Sequence, residues 1–275
     1  MDKLPWAHLK TLLLVFLCLI FPCATNADDD TPPLTKDQIR HFLLTAPIVG
    51  THESKKGITD TKRLTLSDGS VTHDASFQSV DEHAAVKKFS TGRSELQFVD
   101  SYKYNLAAYA IAELVGFDDM MPVYVERQYQ GKKGSLSWWL PVKMDEADRV
   151  SKKIEPPDQD AWNLQMYRVR VFDELVYDSD ANLTNVLIGA NWQIWRIDFT
   201  RAFRLFHTLK EPKDLERCNR NMFERLKALK VDDVTEKTRP YLTKEEVKAV
   251  MARRDIIVAF FQKQIAAKGE SDILY

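Results

Sequence analysis

The sequence predicts an α+β fold, with a strand-rich first half that holds one strong helix and a helix-rich second half. Three observations predict it. Arg63-Leu64-Thr65-Leu66 and Val71-Thr72-His73-Asp74-Ala75-Ser76-Phe77 alternate at period two, and only an extended chain puts every second residue on one face. Residues 101–115 and 159–176 instead repeat their apolar positions at helical spacing. The stretches 219–229 and 244–268 do so again, so helices dominate the C-terminal third.

Taken in order, residues 36–45 form a short helix with Thr35 as N-cap, because Ile39, Phe42 and Leu43 fall on one face. Ile48-Val49-Gly50 is a weak strand, followed by a polar loop, 51–62, that carries Lys55-Lys56-Gly57. Ser67-Asp68-Gly69-Ser70 is a hairpin turn, since Gly tolerates the positive φ that a tight turn needs. The helix over 101–115 places Leu106, Tyr109, Ala110 and Leu114 on one side and ends at Gly116. Residues 122–127 and 136–141 pair as strands. The helix over 159–176 turns Trp162, Met166, Val169, Phe172, Leu175 and Val176 inward.

Composition bounds the functions. With 275 residues, 44% of them hydrophobic and a formal charge of −1, the chain can bury one large core or two small lobes that share a cleft. Lys and Arg are neither in excess nor clustered, which argues against a nucleic-acid partner. At the N-terminus, Lys3 and Lys10 precede an apolar run over 11–21, then Pro22 and the small-residue segment Ala24-Thr25-Asn26-Ala27. That is the pattern of a signal peptide over 1–27, cut after Ala27, and the run is shorter than the roughly 20 apolar residues of a bilayer span. The expected location is secreted or periplasmic, with no stable membrane span after cleavage. Of three cysteines only Cys218 then remains, so neither an internal disulfide nor a cysteine metal site can form.

The chemistry is concentrated between Tyr177 and Phe203. Asp180 is followed five residues later by Asn185, and Asp198 arrives after a short apolar strand and a turn. One carboxylate to orient an attacking hydroxyl, with an amide oxygen and a second carboxylate to hold magnesium, is what phosphoryl transfer requires. A calcium EF-hand over Asp178, Asp180, Asn182 and Thr184 fails, because its sixth position needs Gly and holds Leu183, and its twelfth needs Glu and holds Gly189. A polar turn before a buried strand explains Asp180 and Asn185 alone, but not their combination with Ile197-Asp198-Phe199 after a long amphipathic helix.

Two stretches carry a family resemblance: Leu175-Val176-Tyr177-Asp178-Ser179-Asp180-Ala181-Asn182-Leu183-Thr184-Asn185-Val186-Leu187-Ile188, and Ile197-Asp198-Phe199-Thr200-Arg201-Ala202-Phe203. The first looks like an Asp-x-x-x-x-Asn catalytic loop and the second like an Ile-Asp-Phe-Gly-x-Ala-Phe metal motif. Together they resemble the protein-kinase-like superfamily, in the branch of the phosphoinositide 3- and 4-kinases (above all the type II 4-kinases), the HipA-type kinases and the secretory-pathway kinases. The resemblance implies a two-lobed fold: a 28–44 extension, a small antiparallel-sheet lobe with one helix over 45–141, and a mainly helical lobe over 142–275. It also implies Mg and ATP as cofactors, Asp180 as catalytic base, Asn185 and Asp198 on the metal, and Trp138, Trp139 and Leu140 near an adenine-receiving hinge.

Two departures stand out. The position of the nucleotide-binding Lys is Gln78, and that of its partner Glu is Asn105. A neutral amide bond to phosphate is roughly half as strong as a charge-assisted one. Lys103 is the first choice for a replacement cation, with Lys62 and the Lys55-Lys56 pair behind it. The expected function is a Mg/ATP-dependent phosphotransferase acting outside the cytoplasm on a protein, sugar or lipid hydroxyl; the alternative is a pseudokinase-like nucleotide-binding module of the envelope. Asn182-Leu183-Thr184 is a glycan acceptor whose glycan would block the site, which favours a bacterial envelope. Arg201 is expected to anchor an ion pair, with Asp178 as its partner. His73 and Asp74 point to opposite faces of their strand and cannot form one catalytic pair.

Overall fold

A reciprocal cap starts the first helix, α1 (Lys36–Thr45): the Thr35 side chain accepts from Gln38 N, and the Gln38 side chain accepts from Thr35 N. The computed structural model describes residues 34–53 and 61–275. The expected leader over 1–27, residues 28–33 of the extension, and Lys55-Lys56 lie outside the described residues. Residues Thr35–Tyr275 form one compact unit.

The alternating segments become β1 (Ile48–Glu53), β2 (Lys62–Ser67) and β3 (Thr72–Gln78). A hairpin, β4 (Asp81–Lys88) and β5 (Ser94–Ser101), then leads into helix α2 (Tyr102–Val115), and β6 (Tyr124–Tyr129) and β7 (Lys132–Trp138) follow. Five of these make an antiparallel sheet in the order β1-β2-β3-β7-β6, while β4 and β5 pair only with each other. Leu64 faces Ala75, and Phe77 faces Leu136. All four are buried, so register is fixed by the apolar face they share. Helix α2 contacts β6 and β7, and its run of alanines lets backbone approach backbone. Gly116, at φ 74°, ends it, as a left-handed cap requires.

The β6–β7 hairpin corrects the expected strands at 122–127 and 136–141. Its turn is Gln130-Gly131, both at positive φ, the arrangement that matches the twist of a two-residue hairpin. The polar start of β7, Lys132-Lys133-Gly134, hid that turn in the sequence. Leu140 and Pro141 fall beyond the strand, where the missing N–H of proline does no harm. The β4–β5 hairpin was unexpected, because most of its residues are exposed and it lacks a clean apolar alternation.

Gly134 marks a close approach between β7 and β3. A Cβ there would overlap the Gln78 carbonyl oxygen and stand 2.6 Å from Phe77 Cζ. Gly134→Ala is therefore expected to cost about 1–3 kcal/mol through overpacking, read as a lower urea midpoint at unchanged m-value. A wild-type midpoint would contradict the steric reading.

The helix-rich part opens with β8 (Val142–Asp145) and α3 (Glu146–Ser151), followed by α4 (Gln159–Val176). Asp158 caps α4, and Tyr177, at φ 49°, ends it. Strands β9 (Val186–Gly189) and β10 (Ile194–Arg196) complete a small sheet in the order β10-β9-β8. Helices α5 (Arg220–Ala228), α6 (Val231–Thr238), α7 (Lys244–Lys268) and α8 (Glu270–Ile273) close the chain. Helix α6 lies within the stretch after His207 that reads as helical, but no side chain caps its start. Cys218 is buried and free, with burial pushing its thiol up to about 12. Among the described residues no helix is long and apolar enough to cross a membrane.

Candidate functional site

The αL residue Tyr177 turns the chain out of α4 and delivers Asp178 into the interior, where it is 1% exposed. One Asp178 oxygen, Oδ1, accepts from Asp180 N at 3.0 Å. Asp180 itself is exposed, and its carbonyl accepts from Asn182 N at 2.7 Å and Asn185 Nδ2 at 3.3 Å. Asn182 Oδ1 accepts from Thr184 N at 3.0 Å. The loop is thus closed by its own Asp and Asn side chains, the local bonding for which these residues favour turns.

Asn185 is buried at the end of this loop, and its carbonyl accepts from Ile197 N at 3.1 Å. That bond sets the approach of Asp198, which follows β10 and adopts φ 61°. A non-glycine residue held there costs on the order of 1–3 kcal/mol and persists only where its surroundings enforce it. They do so here. Phe199, Ala202 and Phe203 are buried, Phe199 packs edge-on to Phe172, and Phe203 N donates to Val176 O at 2.7 Å.

Electrostatics follow from this burial. Asp198 accepts from Thr200 Oγ1 at 3.1 Å, yet burial raises its carboxyl pKa, with Asp178 and Asp100 adding repulsion. Burial also raises Asp100, which feels Asp180. The Tyr124 hydroxyl, raised by burial, feels the Asp198 charge. Asp100 Oδ1 is buried with no hydrogen-bond partner, an orphaned acceptor that suits a nearby cation. Among the described residues no three His, Cys, Asp or Glu side chains form a ready metal cluster. A carboxylate and an amide, Asp198 and Asn185, are nonetheless the oxygen donors that magnesium takes along with substrate phosphates.

The opposite wall holds the two amides. Asn105 is fully buried; its Nδ2 donates to Gln78 Oε1 at 2.6 Å and to Ser135 Oγ at 3.2 Å. Its Oδ1 accepts from Phe199 N at 2.7 Å. Gln78 and Asn105 therefore join β3, β7 and α2 to the residue that follows Asp198. Lys103 Nζ, on α2, is bonded to Asp81 Oδ2 at 2.7 Å, and Lys62 opens β2. Trp139 and Leu140 lie half-buried just past β7; Trp139 N donates to Asp74 O at 3.1 Å, and the Arg63 guanidinium lies over the Trp139 ring.

The expected Arg201–Asp178 pair is not formed. Arg201 bonds Glu95 at 2.5 Å, and the partner of Asp178 is Arg196. Arg196 is fully buried between Asp173 and Asp178. Burial alone would depress its guanidinium, but the two carboxylates hold it above its ordinary value. Asp173, largely desolvated and close to Asp178, is pushed up to about 6, although its side chain keeps 18% of its exposure. Sequence reading missed Arg196, although a charged residue inside the apolar run Ile194-Trp195-Arg196-Ile197 was the available signal. Asp100 gave none, since it sits in the unexpected hairpin.

A surface cleft of about 400 Å³ is lined by Tyr167, Leu215, Phe260 and Ile273, among others, and by none of the residues above. Neither a protein-family model nor a curated protein sequence matches the chain. Among solved structures, the chain is similar to the proinflammatory kinase CtkA of Helicobacter pylori, at 9% identity, with 78% of this chain and 92% of that chain covered and a TM-score of 0.48.

Proposed function

We propose that this chain is a kinase-like phosphotransferase that takes Mg and ATP and transfers a phosphoryl group to a protein, sugar or lipid hydroxyl outside the cytoplasm. The lobes of the reading are residues 45–141 and 142–275, with the site where β3, α2 and the 177–203 segment meet. One observation supports it: a single closed loop ties Asn185 Nδ2 to Asp180 O, and Asn185 O to Ile197 N, which is the backbone proximity that a base, an amide and a second carboxylate of one site require.

In this reading the exposed Asp180 orients the acceptor hydroxyl and takes its proton. Asn185 and Asp198 hold magnesium, which neutralises charge on the phosphates when bound. Gln78, whose Oε1 accepts from Asn105 and whose Nε2 donates to Thr61 Oγ1 at 3.4 Å, keeps a second Nε2 hydrogen for phosphate where a cation is otherwise expected. Catalysis is then positioning and charge neutralisation, with little covalent work for the protein.

The neutral Gln78–Asn105 bond favours a second reading, a pseudokinase-like module that binds nucleotide without turnover. Both readings require binding. Thermal melting of residues 28–275 with ATP and Mg is expected to show a shift that needs both ligands. At a ligand concentration near 100 Kd, the stabilisation is about 2.7 kcal/mol. Asp198→Ala should lose it. A wild-type chain whose melting ignores ATP and Mg at millimolar concentration would sink both.

A further inference from the structure

We infer that Arg196 is the positioning residue of this site, one buried cation that sets the mutual placement of Asp180, Asn185 and Asp198. The inference rests on the phosphotransferase reading and deepens it. Arg196 ends β10 and is 0% exposed, so each of its donors needs a protein partner. Nε donates to Asp173 Oδ1 at 3.1 Å and Oδ2 at 3.3 Å. Nη1 donates to Asn185 O at 3.3 Å and to Ile197 O, and Nη2 to Asp178 Oδ2.

These partners are the attachment points of the site. Asn185 O belongs to the amide residue, Ile197 O to the residue before Asp198, and the other oxygen of Asp178 holds Asp180 N. The guanidinium also lies 4.7 Å from the centre of the Phe199 ring, the residue after Asp198. One planar group therefore reaches the amide residue directly, and the base and the metal carboxylate each through one neighbouring residue. Lysine, with three donors on one ammonium, cannot span these directions.

Stability alone is a weak reason for this arrangement, because desolvating an ion pair can cost as much as its attraction returns. Arg253 makes the comparison. It is equally buried, but its bonded donors go to the carbonyls of Leu175, Arg204 and Phe206 and its guanidinium lies over the Tyr177 ring, none of them in the loop over 178–185. It ties α7 to the end of α4 and to the segment over 204–206; Arg196 ties β10 to the loop over 178–185.

The test uses Arg196→Lys, with Arg253→Lys as the structural control. Mn²⁺ is titrated at saturating ATP and followed by melting temperature and by the electron paramagnetic resonance of free Mn²⁺. Arg196→Lys is expected to weaken Mn²⁺ binding about 10–100-fold, as loss of a group that orients metal ligands does. Arg253→Lys should lower the melting temperature and leave the Mn²⁺ affinity at the wild-type value. If Arg196→Lys does not fold, the neutral triple variant Arg196→Met/Asp173→Asn/Asp178→Asn replaces it, since removing the guanidinium with both of its carboxylate partners strands no charge. A folded Arg196 variant within threefold of wild-type affinity would overturn the assignment, as would a loss matched by Arg253→Lys. Failure of both Arg196 variants to fold would place Arg196 with the core and overturn it too. A wild-type chain that binds no Mn²⁺ with ATP would instead overturn the phosphotransferase reading.

Discussion

Asn105→Ala is expected to destabilise the protein by about 2–4 kcal/mol, because removing one member of a buried network leaves the others unsatisfied at roughly 1–3 kcal/mol each. The stranded groups can be named. Phe199 N loses its 2.7 Å acceptor, and Gln78 Oε1 and Ser135 Oγ lose the Asn105 donor. Phe199 N suffers most, as a main-chain donor in the core with no freedom to turn to another partner. For a chain of this size each kcal/mol lowers the melting temperature by about 2–4 °C. Gln78→Ala should cost less, since Gln78 is only partly buried and Asn105 keeps its bonds to Phe199 and Ser135. Urea melts of both variants test the order. Asn105→Ala within about 0.5 kcal/mol of wild type, the range of ordinary surface substitutions, would show that the network carries little. The same variant should also shrink the response to ATP and Mg, because Phe199 adjoins Asp198.

The way Asn105 is used also shows how two neutral side chains tie β3 and α2 to the segment over 197–203. In the family pattern an ion pair joins strand to helix. Here the strand-to-helix contact is an amide pair, and the Asn105 oxygen left over accepts from Phe199 N. A single Lys at position 78 would face a buried neutral amide, and a single Glu at 105 would bury a charge without a partner. Either change alone would therefore leave one side chain mismatched. Lys103, engaged by Asp81, would have to leave that carboxylate to reach a phosphate.

What was legible in the sequence follows from how local each signal is. Helix α1 was placed to the residue because cap and apolar stripe agree, Thr35 with Phe42 and Leu43, and helix α4 was placed by its stripe from Trp162 to Val176. The pairing of β2 with β3 was legible because one face is buried and the turn at Asp68-Gly69 is chemically specific. The loop that closes around Asp180 and Asn185 was legible because its bonds are made by neighbours in sequence. Arg196 was not, since its meaning depends on Asp173 and Asp178, more than 15 residues upstream, and on carbonyls that carry no sequence signal. Nor was Asp100. It reaches the site only because β4 and β5 fold back as an exposed ribbon, whose N–H and C=O groups pair with each other whatever the side chains are.

Asp180→Asn carries the largest expected effect on turnover and separates the two functional readings. A positioned carboxylate that takes a proton in the transition state contributes about 10²–10⁴-fold, so transfer from ATP to an acceptor should fall by that factor in the variant. Nucleotide binding should not change with it. Asp180 is exposed, its side chain makes none of the bonds that close the loop, and the backbone bonds to Asp178 and Asn185 survive the substitution. The assay follows release of radiolabelled phosphate or of ADP, with the ATP and Mg melting shift measured on the same preparations. A fall in turnover with the shift retained is the signature of a base that acts in the chemical step, because an interaction used only there changes rate without changing ground-state binding. A wild-type chain that binds ATP and Mg but turns over no faster than Asp180→Asn would make this a binding module. The neutral bond between Gln78 and Asn105 would then be the reason, since the phosphates lack the cation that holds them for attack.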